Sequence, residues 1–159
     1  MSTQSNQNEL LQVTFTQPMP YEWSIGIYGS RFFQEIKEKG RFIGIKCPGC
    51  GKVYVPPRRV CGPCFTELTE LVPLSDTGVI TAFSVVNYPF IDPNTGTQRS
   101  IPYTYGYIRM DGADNIFSHI INETDLGKIK VGMKVRAVFK DKAKMEGNIN
   151  DIIHFDIIR

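Results

Sequence analysis

Apolar and polar residues alternate in short runs through the second half of the chain. Five of these runs are rich in β-branched and aromatic residues and end at glycine, proline, asparagine or aspartate, as β-strands usually do. They span residues 78–87, 103–110, 115–122, 134–140 and 152–158. Five strands with a longer link between the third and the fourth predict an OB-type barrel, with an SH3-like barrel or a small sandwich as alternatives.

The first half of the chain predicts one short helix, over residues 30–39. Its apolar stripe at helical spacing consists of Phe32, Phe33 and Ile36. Ser30 is the expected N-cap residue, and Gly40 suits the left-handed position that follows a helix. Two short strands and a connection toward the barrel follow, over residues 41–46, 52–55 and 65–74.

These elements divide the chain into three parts. Residues 1–23 are rich in Gln, Asn, Ser and Thr, and we interpret them as a flexible N-terminal arm. Residues 24–74 are predicted to form the helix and a ribbon around the cysteines. Residues 75–159 are predicted to form the barrel, so the fold class is mainly β with a short N-terminal helical segment.

All four cysteines lie in two Cys-x-x-Cys pairs, Cys47 with Cys50 and Cys61 with Cys64. Zn²⁺ prefers soft ligands in a tetrahedron, and two such loops supply four thiolates. A disulfide within each pair would be strained and is typical of small secreted domains. A thioredoxin-type redox motif needs a βαβ context that this sequence lacks. The spacing therefore predicts one structural zinc ion held by all four sulfurs.

This zinc site leaves no cysteine free for catalysis. A zinc ion with four protein ligands also has no open position for a water molecule. The two histidines, His119 and His154, lie in predicted strands and are expected to be surface or hydrogen-bonded residues. We also expect Asp151, His154 and Asp156 to form a solvated cluster. The sequence therefore predicts no catalytic residue.

Charge and composition narrow the class of partner. The chain has 18 Lys and Arg against 16 Asp and Glu, a formal net charge of +2. Proteins that bind nucleic-acid backbones usually carry a basic excess, so the balance disfavours such a partner. No apolar run approaches the roughly 18 residues of a membrane-spanning helix. Reduced cysteines and a polar N-terminus without a signal-peptide core indicate the cytoplasm.

The order of motifs resembles a known family. The run FFQEIKEKGRFIGIKCPGCGKVYVPPRRVCGPC, followed by GVITAFSVVNYP and VGMKVRAVFK, resembles a zinc-ribbon/OB-fold family of unknown-function type that is associated with acyl-CoA enzymes. The resemblance implies a rubredoxin-like zinc ribbon followed by a five-stranded OB-type barrel. It also implies a non-catalytic accessory subunit that docks to a catalytic thiolase-fold subunit and helps form the site for the acyl-CoA thioester. The tetrapeptide Tyr28-Gly29-Ser30-Arg31 resembles subunits from anaerobic aromatic degradation.

Coenzyme A presents phosphates, which arginine binds well, and an adenine ring, which stacks on flat side chains. The candidate contacts to coenzyme A or to the partner are Arg31, Arg58, Arg59, Tyr88, Phe90, Arg99, Tyr103 and Tyr105. Because Tyr103, Tyr105 and Tyr107 alternate along one strand, they share one face of it. Partner docking, ligand contact and core packing are all open interpretations of that face.

A single-stranded nucleic-acid-binding module is the alternative function, since zinc ribbons and OB barrels also serve that purpose. The tyrosines would then stack on bases, and Arg58 and Arg59 would contact phosphates. A redox protein is a third possibility, which tetrathiolate zinc would eliminate. Salt-sensitive retention on heparin or single-stranded DNA would favour the nucleic-acid alternative.

Overall fold

The structure, a computed structural model, describes residues 24–89, 91 and 96–158, which form one α-helix and eight β-strands. The helix α1 spans Gly26–Lys39, and strands β1 to β8 span Ile43–Lys46, Val53–Tyr54, Glu70–Pro73, Thr77–Val86, Tyr103–Met110, Ile116–Ile121, Lys134–Phe139 and Ile152–Ile157. The predicted arm at residues 1–23 and the candidate Phe90 lie outside the described residues.

The helix begins earlier than the sequence predicted. Ser30 is not its N-cap, because the Ser30 hydroxyl lies inside the helix and donates a 2.8 Å hydrogen bond to the Gly26 carbonyl. The predicted end is confirmed: Gly40 has φ 61°, and its N–H donates to the Ile36 carbonyl at 2.8 Å. Within the described residues, no helix is long and apolar enough to cross a membrane.

The ribbon is a three-stranded antiparallel sheet in the order β2-β1-β3. Ile45 in β1 pairs with Tyr54 on one side and with Leu71 on the other. The sequence predicted β1 and β2 but only a connection where β3 lies. Strand β3 has four residues, none of them fully buried, so it lacks the apolar alternation by which strands are recognised.

The barrel is closed, with its strands in the order β4-β5-β6-β8-β7. All neighbouring pairs are antiparallel except β6 and β8, which are parallel. The five predicted strands are therefore confirmed, and closure as a five-stranded barrel excludes an open sandwich. Along β5, buried and more exposed residues alternate, which places Thr104, Gly106, Ile108 and Met110 inside the barrel.

One hydrophobic core runs through the barrel and into the segment before it. Phe32 and Ile36 of α1 and Phe42 just before β1 are fully buried against barrel residues. The Phe42 ring lies 5.7 Å from Phe117 and 6.3 Å from Phe155, measured between ring centroids. The helix and the start of the ribbon therefore share the barrel's core, and the division at residue 74 stays a prediction about chain organisation.

The turn between β5 and β6 holds the ribbon against the barrel. The Val53 N–H donates to the Asp114 carboxylate, and the Asp114 N–H donates to the Val53 carbonyl, both at 2.8 Å. Asn115 pairs with Val55 in the same way: its Oδ1 accepts from the Val55 N–H at 2.8 Å, and its Nδ2 donates to the Val55 carbonyl at 2.7 Å. We call these four hydrogen bonds the ribbon–barrel clamp.

The loop between β7 and β8 ends at Asp151, which the sequence predicted to be solvated. Asp151 is fully buried, so the prediction that it belongs to a solvated cluster was wrong. Its carboxylate accepts hydrogen bonds from the backbone N–H groups of Glu146, Gly147 and Asn148, at 2.6 to 3.3 Å. Backbone donors replace the water that a buried carboxylate loses, and this allows Asp151 to close the loop from inside.

Candidate metal centre and exposed faces

The first cysteine pair is carried by a tight backbone loop. Cys47 donates its N–H to the Lys52 carbonyl at 2.8 Å and accepts at its own carbonyl from the Gly51 N–H at 2.9 Å. Gly51 has φ 76°, a left-handed conformation that glycine adopts without strain. The loop turns the Cys50 N–H toward the Cys47 sulfur, 3.5 Å away. The backbone around Cys47 and Cys50 is thus arranged to stabilise negative charge on sulfur.

The second cysteine pair repeats this loop with one difference. Cys61 donates its N–H to the Thr66 carbonyl at 2.9 Å and accepts from the Phe65 N–H at 3.0 Å. Phe65 therefore occupies the position that Gly51 holds in the first loop. It is left-handed as well, with φ 56°, and is the only non-glycine described residue with a positive φ. We call residues 61–66 the second knuckle.

The two loops bring the four sulfurs into one cluster. All four Sγ atoms lie within 4.8 Å of one another. The Sγ atoms of Cys47 and Cys64 are 3.4 Å apart, and those of Cys50 and Cys61 are 3.6 Å apart. A tetrahedron with Zn–S bonds of about 2.3 Å has edges of about 3.8 Å. The sulfur separations and the donor set therefore fit one Zn²⁺ ion, as the sequence predicted.

The protonation behaviour of the thiols shows why a cation belongs there. The Thr66 hydroxyl and the neighbouring cysteines lower the pKa of Cys64 to about 6. The pKa of Cys50 rises to about 12: the Lys52 backbone N–H favours the thiolate, but burial and the other three thiols outweigh it. Four adjacent thiolates repel one another unless a cation lies between them. Zinc binding removes this repulsion and releases the remaining protons.

Outside the sulfurs, Tyr54 and Arg58 complete one side of the centre. The Tyr54 hydroxyl lies 3.2 Å from the Cys61 sulfur, and this contact raises the pKa of Tyr54. The Arg58 guanidinium carbon lies 3.6 Å above the centroid of the Tyr54 ring. Tyr54 therefore connects a cation to a ligand sulfur. Tyr54 was not among the residues predicted from the sequence, where its position in β2, shortly after the first cysteine pair, is the only signal.

The predicted coenzyme A contacts fall into separate groups. Arg58 stacks in the ribbon, where Arg59 also lies and pairs with Glu67 at 3.2 Å. Arg31 lies on α1, where it lines a cavity of about 190 Å³ between the helix and the ribbon sheet. The barrel carries the remaining described candidates, which are Tyr88, Arg99, Tyr103 and Tyr105.

Among the barrel candidates, the structure joins Arg99 to Tyr103. The Arg99 guanidinium carbon lies 5.3 Å from the centroid of the Tyr103 ring, within the range of a cation–π contact. Tyr88 follows β4 and is 77% exposed. The assignment of these residues to coenzyme A or to the partner stays a prediction.

The outer surface of the barrel displays two tyrosines. Tyr105 and Tyr107 are 40% and 46% exposed, so the core interpretation is excluded for both. Their rings meet edge to face at 6.0 Å, and the Tyr105 hydroxyl donates to the Ser118 hydroxyl at 3.2 Å. Ala82 pairs across from Tyr107, and Ser84 pairs across from Tyr105. We call these five residues the tyrosine face, a surface on which rings stand above small neighbours.

The histidines do not form a nucleophile–base pair with cysteine. His154 Nε2 lies 3.2 Å from the Asp156 carboxylate. His119 packs parallel to Phe117 at 6.2 Å, and its Nδ1 has no hydrogen-bond partner among the described residues. Burial lowers the pKa of His119, against hydrogen bonds to the backbone. His119 is thus a partly buried ring packed within the barrel wall.

Sequence models of two family domains match the chain. The model described as "ChsH2, rubredoxin-like zinc ribbon domain" matches residues 35–70, and the model described as "ChsH2, C-terminal OB-fold domain" matches residues 71–140. The two matches are adjacent and cover the cysteine pairs and most of the barrel. They confirm the predicted order of a zinc ribbon followed by an OB fold.

Two curated proteins are similar to this chain in sequence. A "DUF35 domain-containing scaffold protein" from Methanocaldococcus jannaschii is 32% identical over 120 residues, 74% of this chain and 80% of that protein. A protein of the same name from Methanothermobacter thermautotrophicus is 29% identical, covering 74% of this chain and 84% of its own.

Two solved structures share the fold. One, described as "Ltp2-ChsH2(DUF35) aldolase", has a TM-score of 0.60 at 18% identity and covers 86% of this chain and 98% of its own. A DUF35-family protein of unknown function from Sulfolobus solfataricus has a TM-score of 0.57 at 20% identity, with coverages of 83% and 84%. With a zinc ribbon, an OB barrel and a relative above 30% identity, this chain belongs to the DUF35 family.

Proposed function

We propose that this chain is a non-catalytic scaffold subunit of an acyl-CoA thiolase complex. The observation that carries the proposal is that all four cysteines are gathered at the metal centre. Thiolase chemistry needs a nucleophilic cysteine activated by a base, and this chain has no such cysteine to offer. The reaction is therefore carried out by a partner subunit with the thiolase fold, in the cytoplasm.

The names of relatives support the scaffold role. Two curated relatives are named scaffold proteins, and one structural relative is named as a ChsH2 chain together with an Ltp2 aldolase. The choice of a thiolase rests on the family resemblance of the whole ribbon and barrel sequence, and the tetrapeptide Tyr28-Gly29-Ser30-Arg31 narrows that resemblance. That resemblance points to the zinc-ribbon partner of a 2-benzoylsuccinyl-CoA thiolase in toluene-type anaerobic degradation.

The barrel supplies the surface for this role. Tyrosines that are half exposed above small residues bury large apolar area at low entropic cost, and their hydroxyls bond across an interface. We assign the tyrosine face to the catalytic subunit. At its edge, Arg99 and Tyr103 would contribute a cation and a ring to the coenzyme A site that both subunits share.

Co-purification tests the proposal. The tagged chain, expressed in its native host, is expected to bring down a thiolase-fold subunit in fixed stoichiometry. The purified complex should cleave a coenzyme A thioester by thiolysis, and the isolated chain should show no turnover. Turnover by the isolated chain, or a stable complex with an enzyme that does not act on acyl-CoA, would overturn it.

Substitutions on the tyrosine face make the test specific. Tyr105→Ser together with Tyr107→Ser is expected to weaken association with the catalytic subunit at least about tenfold. The matched control is Ile153→Ser, which changes a residue of similar exposure, 47%, in β8. Equal weakening by both variants would show that the face has no special role.

Retention on single-stranded DNA tests the alternative function. A nucleic-acid module stacks bases on its aromatic face and loses affinity steeply as salt rises. With a net charge of +2, we expect the chain to pass through such a resin at physiological salt. Tight retention that is lost in the double tyrosine variant would favour nucleic acid over a thiolase subunit.

A further inference from the structure

Phe65 holds a strained backbone conformation without a visible internal reason. Its φ of 56° is disfavoured for a bulky residue, and the equivalent position in the first loop is Gly51. Nevertheless the side chain is 82% exposed. Its ring takes part in no aromatic or cation–π pair among the described residues. Among the described residues, Phe65 contributes its backbone N–H to the loop, as a donor to the Cys61 carbonyl, and a glycine would supply that bond equally well.

We propose that Phe65 is a second docking contact, a ring that enters an apolar pocket of the partner protein. This inference rests on the proposed scaffold function. A large exposed aromatic ring at a strained position is the kind of residue that dominates interface energies, because the fold has already fixed its backbone.

The surroundings of Phe65 indicate the chemistry of the partner pocket. The second knuckle also exposes Pro63, and the adjoining Val60 is 41% exposed. Arg58 lies against this loop: its guanidinium is 3.5 Å from the place that a Cβ on Gly62 would take. No described carboxylate pairs with Arg58. Charge complementarity therefore calls for a partner pocket that is apolar inside and carries a carboxylate at its rim to meet this arginine.

The ribbon–barrel clamp restricts the movement of Phe65 relative to the tyrosine face. Because Val53 and Val55 are hydrogen-bonded to Asp114 and Asn115, the ribbon cannot swing freely on the barrel. Phe65 and the tyrosine face therefore belong to one rigid body. Two weak contacts at a fixed separation bind a rigid partner far more tightly than either contact alone.

The inference predicts opposite changes in stability and in binding. Phe65→Gly removes the strain, so the Tm of the zinc-loaded chain should stay level or rise by about 2 °C. The same variant should weaken association with the co-purified catalytic subunit at least about tenfold. Asparagine tolerates the left-handed conformation, so Phe65→Asn should also keep the Tm level and weaken the association. Phe65→Trp keeps a large aromatic ring and should keep the affinity.

Leu126→Asn is the matched control, since Leu126 is 67% exposed on a barrel turn and should change neither quantity. Zinc content is measured for every variant, so that loss of the metal is not mistaken for loss of the ring. If wild type binds the catalytic subunit and Phe65→Gly binds it equally well, this inference is wrong while the scaffold function stands. If wild type binds no acyl-CoA enzyme, the scaffold function fails first and the inference falls with it.

Discussion

The ribbon and the barrel are stabilised by different means. The buried cluster of the ribbon is small, and two of its members are ligand cysteines: Ile45, Cys47, Tyr54, Cys61 and Leu68. The barrel instead encloses a core with several aromatic rings and draws further rings from α1 and from the segment before β1. A sheet of three short strands cannot bury enough apolar surface to fold alone, so the metal supplies what the core lacks.

Removing one zinc ligand should have the largest effect, and it should affect the ribbon far more than the barrel. Cys61→Ser is expected to release the zinc and to unfold β1 to β3, because the binding free energy, on the order of 10 kcal/mol, is the folding free energy of the ribbon. Hydrogen exchange should show unprotected ribbon amides while β5 and β6 stay protected. The control is Thr69→Ser, an exposed change near the centre that spares the ligands. A protected ribbon without metal would show that its own core suffices.

Phe42→Ala should weaken both regions together. Phe42 is fully buried, and its ring packs on those of Phe117 and Phe139, 5.7 and 5.4 Å away. Truncating a buried phenylalanine costs about 3–5 kcal/mol, which urea unfolding of the zinc-loaded chain would measure. Phe33→Ala, at the half-buried rim of the same core, is the control and should cost less. Equal costs would mean that the core does not extend across the two regions.

The elements that could be predicted from sequence are those with a strong local signal. Each of the five barrel strands is a run of six to ten residues that is rich in β-branched and aromatic residues, and the Cys-x-x-Cys spacing is recognisable without knowledge of the fold. The strand β3 has four half-buried or exposed residues, so it carried no comparable pattern. Burial of Asp151 depends on three backbone N–H groups that converge only once the loop is closed.

At the candidate site, too, only features with a local sequence signal could be predicted. The ligands were evident from spacing, but the ribbon–barrel clamp joins residues about sixty positions apart and has no local signal. Tyr54 and Thr66 become visible as sulfur partners only in three dimensions. Phe65 is different: aligning the two cysteine pairs places it opposite Gly51, so its unusual backbone could have been inferred from sequence alone.

Asn115→Ala should loosen the connection between the regions without unfolding either. The change leaves the buried N–H and carbonyl of Val55 without partners, which costs about 2 kcal/mol. Exchange of the Val55 amide should accelerate while zinc remains bound. Asn122→Ala is the control, because the Asn122 side-chain amide donates to the exposed carboxylate of Asp156 and not to backbone of the ribbon. An unchanged Val55 amide would show that packing, rather than the clamp, joins ribbon and barrel.

The ribbon and the barrel should unfold at different acidic pH values. For the barrel, that pH depends on the buried carboxylate of Asp151. Burial alone would raise the pKa of Asp151, but the backbone N–H groups of Glu146, Gly147 and Asn148 hold it below its usual value. A lowered folded pKa contributes stability that is present above the unfolded value of about 3.9 and is lost as the pH falls through the folded pKa. Protons compete with zinc for the thiolates at higher pH than this. Zinc release should therefore open the ribbon before the barrel unfolds.

Asp151→Asn should therefore cost about 1 kcal/mol at neutral pH and flatten the acid dependence of barrel unfolding below about pH 4. Asp141→Asn, at an exposed carboxylate, is the control and should leave that dependence intact. The measurement is a pH titration that follows zinc release and barrel amide exchange in the same sample. Loss of both signals at one pH would mean that ribbon and barrel form a single cooperative unit, and that the metal stabilises the barrel as directly as it stabilises the ribbon.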